Sequence, residues 1–285
     1  MSAALARSEI EAAFLSACQG ELAALKPGNV HRHASGHGME VAHFERAAAA
    51  AAPVIADPSL QVGMRILRAT EASLAATGVN TNLGIVLLCA PLAKAAAEID
   101  IATGLRRRLA IILSMLDRDD AANAFAAIRL ANPAGLGSAA EGDVHAAPKV
   151  TLIDAMHLAA ERDRIANAYV TAYADIFDFA LPRFIEARRL SRTDDLAVST
   201  LHMALMAEFP DSHIARKHGV EMAHRVQAEA RDLLPLWSPA VTPKTLPELA
   251  QFDADLKARG LNPGTTADFV VATLFAGLIS DRKQS

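Results

Sequence analysis

Gly78-Val79-Asn80-Thr81-Asn82-Leu83-Gly84, running straight into Ile85-Val86-Leu87-Leu88-Cys89-Ala90, is the stretch that decides the fold. Its apolar half has no polar face, so a helix made from it belongs at the centre of a core. The run before it, from about Leu60 to Thr77, is amphipathic and reads as a helix lying on that core. Between the two, Gly78 suits the left-handed residue that ends a helix. Asn80, Thr81 or Asn82 can then cap the next helix through a side-chain oxygen. The corner has two readings. A well-capped turn between core helices accounts for every residue in it. A helix N-terminus also presents free N–H groups and partial positive charge, which a phosphate can use.

Outward from this corner the composition agrees. The 285 residues are 52% apolar but only 5% aromatic, and alanine runs unbroken from Ala47 to Ala52. Such a chain favours closely packed helices over sheets. We expect an all-α fold: a single domain over residues 1–285, with orthogonally packed helices around the buried one that starts near Leu83. The formal charge of -4 gives no reason to expect a nucleic-acid partner. Cys18 and Cys89 fall in apolar helical patterns and read as reduced core residues. The N-terminus lacks the order of a signal peptide. The apolar runs near 83–93 and 269–279 are roughly half the length that spans a bilayer. A cytoplasmic protein with no membrane partner is expected, and its apolar helices make a homodimer plausible.

Helices are expected at about 4–25, 40–56, 60–77, 83–99, 104–117, 119–130, 148–165, 165–190, 195–208 and 246–259, with another starting after Asp211 and a last one ending near Ile279. The breaks between them hold the chemistry. Lys26-Pro27-Gly28-Asn29-Val30 ends the first helix and leads into His31, Arg32, His33 and His37. This loop suits phosphate, since Lys26 and Arg32 are fixed cations and Gly28 allows close backbone approach. A plain polar loop, or a metal site short of acidic ligands, are the other readings. Residues 131–148 form a long break carrying Asp143 and His145, which can serve as base or metal ligand or simply cap local amides. Pro148 suits the first position of the helix after it.

Asp211 reads as an N-cap. On the helix it starts, Ala215, Gly219, Met222 and Val226 form a buried face, with Gly219 allowing close packing. Arg216 and Lys217 then lie one turn inside that helix, opposing its dipole, which makes sense if an anion binds there. Pro235 to Pro247, with Trp237, reads as an extended surface connection. Thr265 and Asp268 have the spacing of a capping box.

Five segments in order resemble the family of ATP:dephospho-CoA triphosphoribosyltransferases. They are Lys26-Pro27-Gly28-Asn29-Val30, Gly78-Val79-Asn80-Thr81 through Gly84, residues 154–182, Asp211 through Arg216 to Gly219, and Asn262-Pro263-Gly264 through Asp268. The resemblance implies an all-helical enzyme that moves the triphosphoribosyl group of ATP to a hydroxyl of dephospho-CoA and releases adenine. Breaking the bond from ribose to adenine builds positive charge on the sugar carbon, which a carboxylate stabilises, and the acceptor hydroxyl needs a base. On this basis Asp143, Asp211 and Asp268 are the candidate catalytic carboxylates and Mg²⁺ ligands, the ion accompanying ATP. Lys26, Gly28, Asn29, Arg32, Asn80, Thr81, Arg216 and Lys217 are the candidate phosphate and nucleotide contacts.

The chain also departs from the pattern. Asn82-Leu83 stands where a His-Lys pair is usual, His31 where Asp is usual, and Gly142-Asp143-Val144-His145 replaces an acidic, arginine-rich centre. One phosphate-facing cation is missing. In this the chain is similar to a divergent branch found in archaea and one-carbon-metabolising bacteria. That implies two alternatives: a pentosyl-phosphate transferase on the same fold serving another cofactor, or a non-catalytic helical ligand-binding protein.

Overall fold

The computed structural model describes residues 4–36, 38–98, 104–133 and 144–280. All regular structure among them is helical: α1 (Arg7–Ala23), α2 (Val41–Ile55), α3 (Val62–Thr77), α4 (Leu83–Ala97), α5 (Leu105–Ser114), α6 (Arg118–Ala131), α7 (Leu152–Ala159), α8 (Arg164–Val170), a π-helical turn (Asp175–Ala180), α9 (Leu181–Leu190), α10 (Asp194–Glu208), α11 (Ser212–His218), α12 (Val220–Asp232), α13 (Leu234–Trp237), α14 (Leu246–Ala258) and α15 (Gly264–Ser280). Among the described residues no helix is long and apolar enough to cross a membrane. Asp143 and His37 lie outside the described residues. Contacts sort the chain into two compact units. One holds Met1–Ala17, His43–Ala174 and Phe275–Ser285; the other holds Cys18–Ala42 and Asp175–Leu274.

In the first unit α4 is the central element, packed by α3, α5, α6 and α8. Gly78 takes φ +72° and its N–H closes α3 on the Leu74 carbonyl. Asn80 Oδ1 then accepts the Leu83 N–H at 3.3 Å, and Asn82 Nδ2 ties the corner back to Ser73 Oγ at 3.0 Å. The corner is therefore capped by Asn80 and braced by Asn82. Asp120 serves both ends of another junction. It completes a capping box with Asp117 at the start of α6, and its Oδ1 accepts the Gly63 N–H at 2.7 Å. A Cβ on Gly63 would collide with the Asp120 backbone, so α3 and α6 meet backbone to backbone.

Pro91 sits inside α4 and has no N–H to give the Leu87 carbonyl one turn back. Of two buried tyrosines that reach this turn, Tyr169 fills the gap. Tyr169 Oη donates to the Leu87 carbonyl at 2.7 Å, and Tyr173 Oη to the Leu88 carbonyl at 3.0 Å. Ala172 and Tyr173 both have positive φ, at 47° and 60°, where the chain turns to deliver the second ring. Tyr169→Phe is expected to cost about 1–3 kcal/mol, the penalty for leaving a buried carbonyl unpaired. In a Pro91→Ala background the helix regains its own N–H, and the same substitution should cost well under half as much. Urea unfolding of the four proteins measures this, and purely additive costs would refute the repair.

The second unit is built on α10, whose Leu196, Met203, Met206 and Ala207 pack with Ile214, Val226, Trp237, Leu249, Leu256 and Leu261. Several expectations from the sequence are corrected here. The helix after Asp211 does not run through Gly219. That residue has φ +91°, is exposed, meets nothing within 4 Å, and separates α11 from α12. Trp237 is not on a surface connection: it ends α13, is buried, and its Nε1 donates to the Ala230 carbonyl at 2.9 Å. Residues 165–190 are three pieces, with the π-helical turn between α8 and α9. In the first unit, α7 starts at Leu152 and not at Pro148, because Thr151 and Asp154 make the capping box.

Candidate active site

The loop that follows α1 is held in the second unit by buried polar groups. Lys26 is fully buried, and its ammonium donates to Glu21 Oε1, to Asn29 Oδ1 at 3.0 Å and to the Val30 carbonyl at 2.7 Å. Three donors meet three oxygens, so Lys26 closes its own loop. Burial pushes the Lys26 pKa down and the Glu21 pKa up, and their mutual attraction opposes both shifts. Asp268 is half-buried, one turn into α15, and its charge also favours the Lys26 cation.

Beyond Lys26, each residue of the loop has its own tether. His202 Nε2 donates to the Pro27 carbonyl at 3.2 Å. The Gly28 N–H reaches Asp253 Oδ1 at 2.9 Å, and Asn29 Nδ2 donates to Asn262 Oδ1 at 2.8 Å. His31 Nε2 lies 3.2 Å from Asp253 Oδ2, which also accepts from Lys257 Nζ at 2.9 Å. Burial raises the Asp253 pKa, but the hydrogen bonds from His31 and Lys257 and their charges outweigh it, and the carboxyl ends below its ordinary value. Arg32 stays exposed.

His202 is fully buried on α10. Burial, with the nearby Lys26 cation, drives its pKa down to about 3. In the unfolded chain a histidine titrates near ~6.5, so the folded state refuses a proton that the unfolded state accepts between those values. Stability from this group is complete above pH ~6.5 and falls by about 1.4 kcal/mol per pH unit as the pH drops toward the folded value. His202→Gln keeps an N–H for Pro27 without titrating. Urea unfolding between pH 6 and pH 4 should therefore fall off about one proton less steeply in the variant. Equal slopes would contradict a neutral buried imidazole.

The start of α15 is the other half of the site. Asp211 is buried, and its Oδ1 accepts the N–H groups of His213 at 2.8 Å and Ile214 at 3.0 Å, capping α11. Its Oδ2 accepts the Thr266 N–H at 2.7 Å and the Thr266 hydroxyl at 2.8 Å. Two carboxylate oxygens offer about four acceptor directions, and all are taken. Asp211 thus clamps the N-termini of α11 and α15 together. The capping box between Thr265 and Asp268 is not the device that starts α15: the helix begins at Gly264, which leaves Thr265 inside its first turn.

Arg216 and Lys217 stand in the last turn of α11, since Gly219 ends that helix. There the carbonyl end favours cations, so their sequence position carries no sign of an anion, which corrects the dipole argument. Arg216 is half-buried and Lys217 exposed. The structure thus brings Lys26, Gly28 and Asn29 together with Asn262, and Asp211 to Thr266, two residues before Asp268. Asn80 and Thr81 belong to the other unit, where Asn80 caps α4 and the buried Thr81 hydroxyl meets no partner among the described residues. Among the described residues no three His, Cys, Asp or Glu side chains converge to hold a metal, and the oxygens of Asp211 are already filled. Asp211 therefore has no acceptor direction left for a Mg²⁺ ion, and Asp143, the other candidate ligand in a sequence break, lies outside the described residues.

Sequence reasoning missed Glu21, His202, Asp253 and Lys257. Asp253 and Lys257 have the i, i+4 spacing of an ordinary surface ion pair, which hides them. His202 carried a signal, as a lone imidazole inside the apolar run of α10.

Helical fold and tethered loop define a class before any comparison is made: an all-α protein with a braced loop set against the start of its last helix. Over residues 7–285 the chain matches the CitG family, ATP:dephospho-CoA triphosphoribosyl transferase, and it belongs to that family. A protein of Albidiferax ferrireducens, assigned as a 2-(5''-triphosphoribosyl)-3'-dephosphocoenzyme-A synthase, is 34% identical over 92 residues. That match spans 32% of this chain and 30% of the relative's length. The crystal structure of an Archaeoglobus fulgidus protein, assigned as a triphosphoribosyl-dephospho-coA synthase, shares the fold with a TM-score of 0.62. It is 24% identical, and the match covers 82% of this chain and 98% of that one.

Proposed function

We propose that this protein transfers the triphosphoribosyl group of ATP to a hydroxyl of dephospho-CoA or a close analogue, releasing adenine. In the reaction the bond from C1′ to the adenine nitrogen breaks, the electron pair leaves with adenine, and the acceptor oxygen bonds to C1′. The hydroxyl proton passes to a carboxylate. Asp268 is the residue for that work, and one observation carries the assignment. Asp211 has all its acceptor directions filled by two helix N-termini, whereas Asp268 is half-exposed at the start of α15, in the field of Lys26. Its carboxylate also supplies the negative charge that a cationic sugar carbon needs.

The triphosphate is bound by Arg32, with Arg216 and Lys217 further along α11, and it brings Mg²⁺ as its own counterion, because that ion keeps much of its water. Lys26, Gly28 and Asn29 shape the loop that carries Arg32. Cys18 and Cys89 are buried thiols in no disulfide, in keeping with work in the reducing cytoplasm.

Asp268→Asn tests the assignment. Turnover of ATP and dephospho-CoA, followed as free adenine, should fall by about 100-fold or more, a typical loss for an acid–base group. Calorimetric ATP affinity and helical circular dichroism should hold. An active Asp268→Asn protein would remove Asp268 from the chemistry.

A further inference from the structure

Asp253 is buried, and two of its three hydrogen bonds go to the loop after α1, the third to Lys257 on its own helix α14. Through Oδ1 it holds the Gly28 N–H, and through Oδ2 it holds His31 and Lys257. The His31 ring has a second fixed contact: its Nδ1 lies 3.2 Å from the His33 backbone nitrogen and accepts its proton. A ring nitrogen that accepts carries no proton, so Nε2 bears it and donates to the carboxylate. Asp253 and the His33 N–H together fix the tautomer of His31, and the Lys257 ammonium, 3.4 Å from the same Nε2, is held off it by its own bond to Asp253 Oδ2. Lys257 closes the far side. Its stem lies 3.1 Å from where a Cβ on Gly36 would be, and its Nζ is 3.4 Å from the Ala34 carbonyl. Between these tethers stands the exposed Arg32, whose backbone N–H bonds to the Leu22 carbonyl at 2.8 Å.

We propose that Asp253 is a positioning residue: by holding Gly28, His31 and Lys257 on one carboxylate, it presents the Arg32 guanidinium to the triphosphate of ATP. This rests on the reading of the protein as an ATP-dependent transferase. Asp253 touches no substrate and moves no proton.

An amide of the same shape cannot do this. With its oxygen toward Gly28, the amide of Asp253→Asn would turn its NH₂ against the His31 N–H and the Lys257 ammonium. Flipped, it would turn the NH₂ against the Gly28 N–H. Asp253→Asn must therefore release one side of the loop or force the other His31 tautomer.

The test is a double-mutant cycle on ATP affinity by calorimetry, with Asp253→Asn, Arg32→Ala and the double variant. Each single change is expected to weaken binding about 10-fold, the scale of one charge-assisted contact. If Asp253 acts through Arg32, the double variant stays within about 2- to 3-fold of either single one; independent effects would multiply to about 100-fold. The nitrogen-15 spectrum of His31 should change in Asp253→Asn and stay as in the wild type in Arg32→Ala. Multiplying effects, or wild-type affinity in Asp253→Asn, would overturn the proposal. Should Asp253→Asn lose its helical circular dichroism, Lys257→Met takes its place in the cycle with the same two outcomes. A wild-type protein that binds ATP through Arg32 but releases no adenine would overturn the assigned reaction and leave this inference standing.

Discussion

Asp211→Ala is expected to destabilise the protein by about 4 kcal/mol, the upper part of the range for removing a buried hydrogen-bonded carboxylate. The loss strands four donors at once: the N–H groups of His213, Ile214 and Thr266, and the Thr266 hydroxyl. These belong to two helix starts, so the clamp between α11 and α15 goes with them. Asp211→Asn separates this role from catalysis. One amide oxygen can satisfy the donors of one helix only, and its NH₂ then faces the N–H of the other. The asparagine protein should therefore still lose about 2 kcal/mol in urea unfolding. A base or metal ligand replaced by asparagine would instead lose turnover at nearly unchanged stability, and that result would return Asp211 to the catalytic group.

Gly28→Ala should have the next largest effect. Position 28 is at φ +82°, which by itself costs an L residue roughly 1–2 kcal/mol. A methyl group there would also lie 2.7 Å from Pro263 Cδ and 3.0 Å from the Leu261 carbonyl oxygen. A proline ring and a backbone carbonyl cannot swing away as a long side chain can, so the loop must lift. The combined cost is expected to reach about 3 kcal/mol or more, with strain and overpacking acting together. The Gly28–Asp253 and Asn29–Asn262 hydrogen bonds lengthen with the lift, and ATP affinity should fall with stability. Gly78 makes the control. It has φ +72° but open space around the missing Cβ, so Gly78→Ala should cost only about 1 kcal/mol. Equal costs at the two positions would show that the close approach to Pro263 does not matter.

The fold was largely legible in the sequence, because it depends on features that act locally. The all-apolar run after Leu83 could only be a central helix. Gly78, Asn80 and Asp211 ended or capped helices through groups within a few residues of themselves. Breaks were harder to read. Gly219 looked like a packing glycine because Ala215, Met222 and Val226 keep helical spacing across it; only its backbone angle shows that the helix stops. That one error inverted the meaning of Arg216 and Lys217.

The site was legible as a set of segments and not as a set of roles. Lys26 and Asp211 were picked out as charged residues in turns, which is what both ligand-binding and structural residues look like. What separates them is the count of oxygens or donors already in place, and those come from Asn29, Val30, Glu21 and Thr266 in three dimensions. Asp253 and Lys257 were hidden for the opposite reason. Their i, i+4 spacing on α14 reads as a solvated pair, and the residues they hold lie more than two hundred positions earlier in the chain.

The central claim is that a triphosphoribosyl group leaves adenine and joins an acceptor hydroxyl. The most direct measurement is mass spectrometry of dephospho-CoA after incubation with the protein, ATP and Mg²⁺, with free adenine quantified in the same sample. Expected is an acceptor heavier by one triphosphoribosyl group, matched one for one by adenine and absent when ATP is omitted. Unmodified acceptor with no adenine, from a protein that still binds ATP, would contradict it.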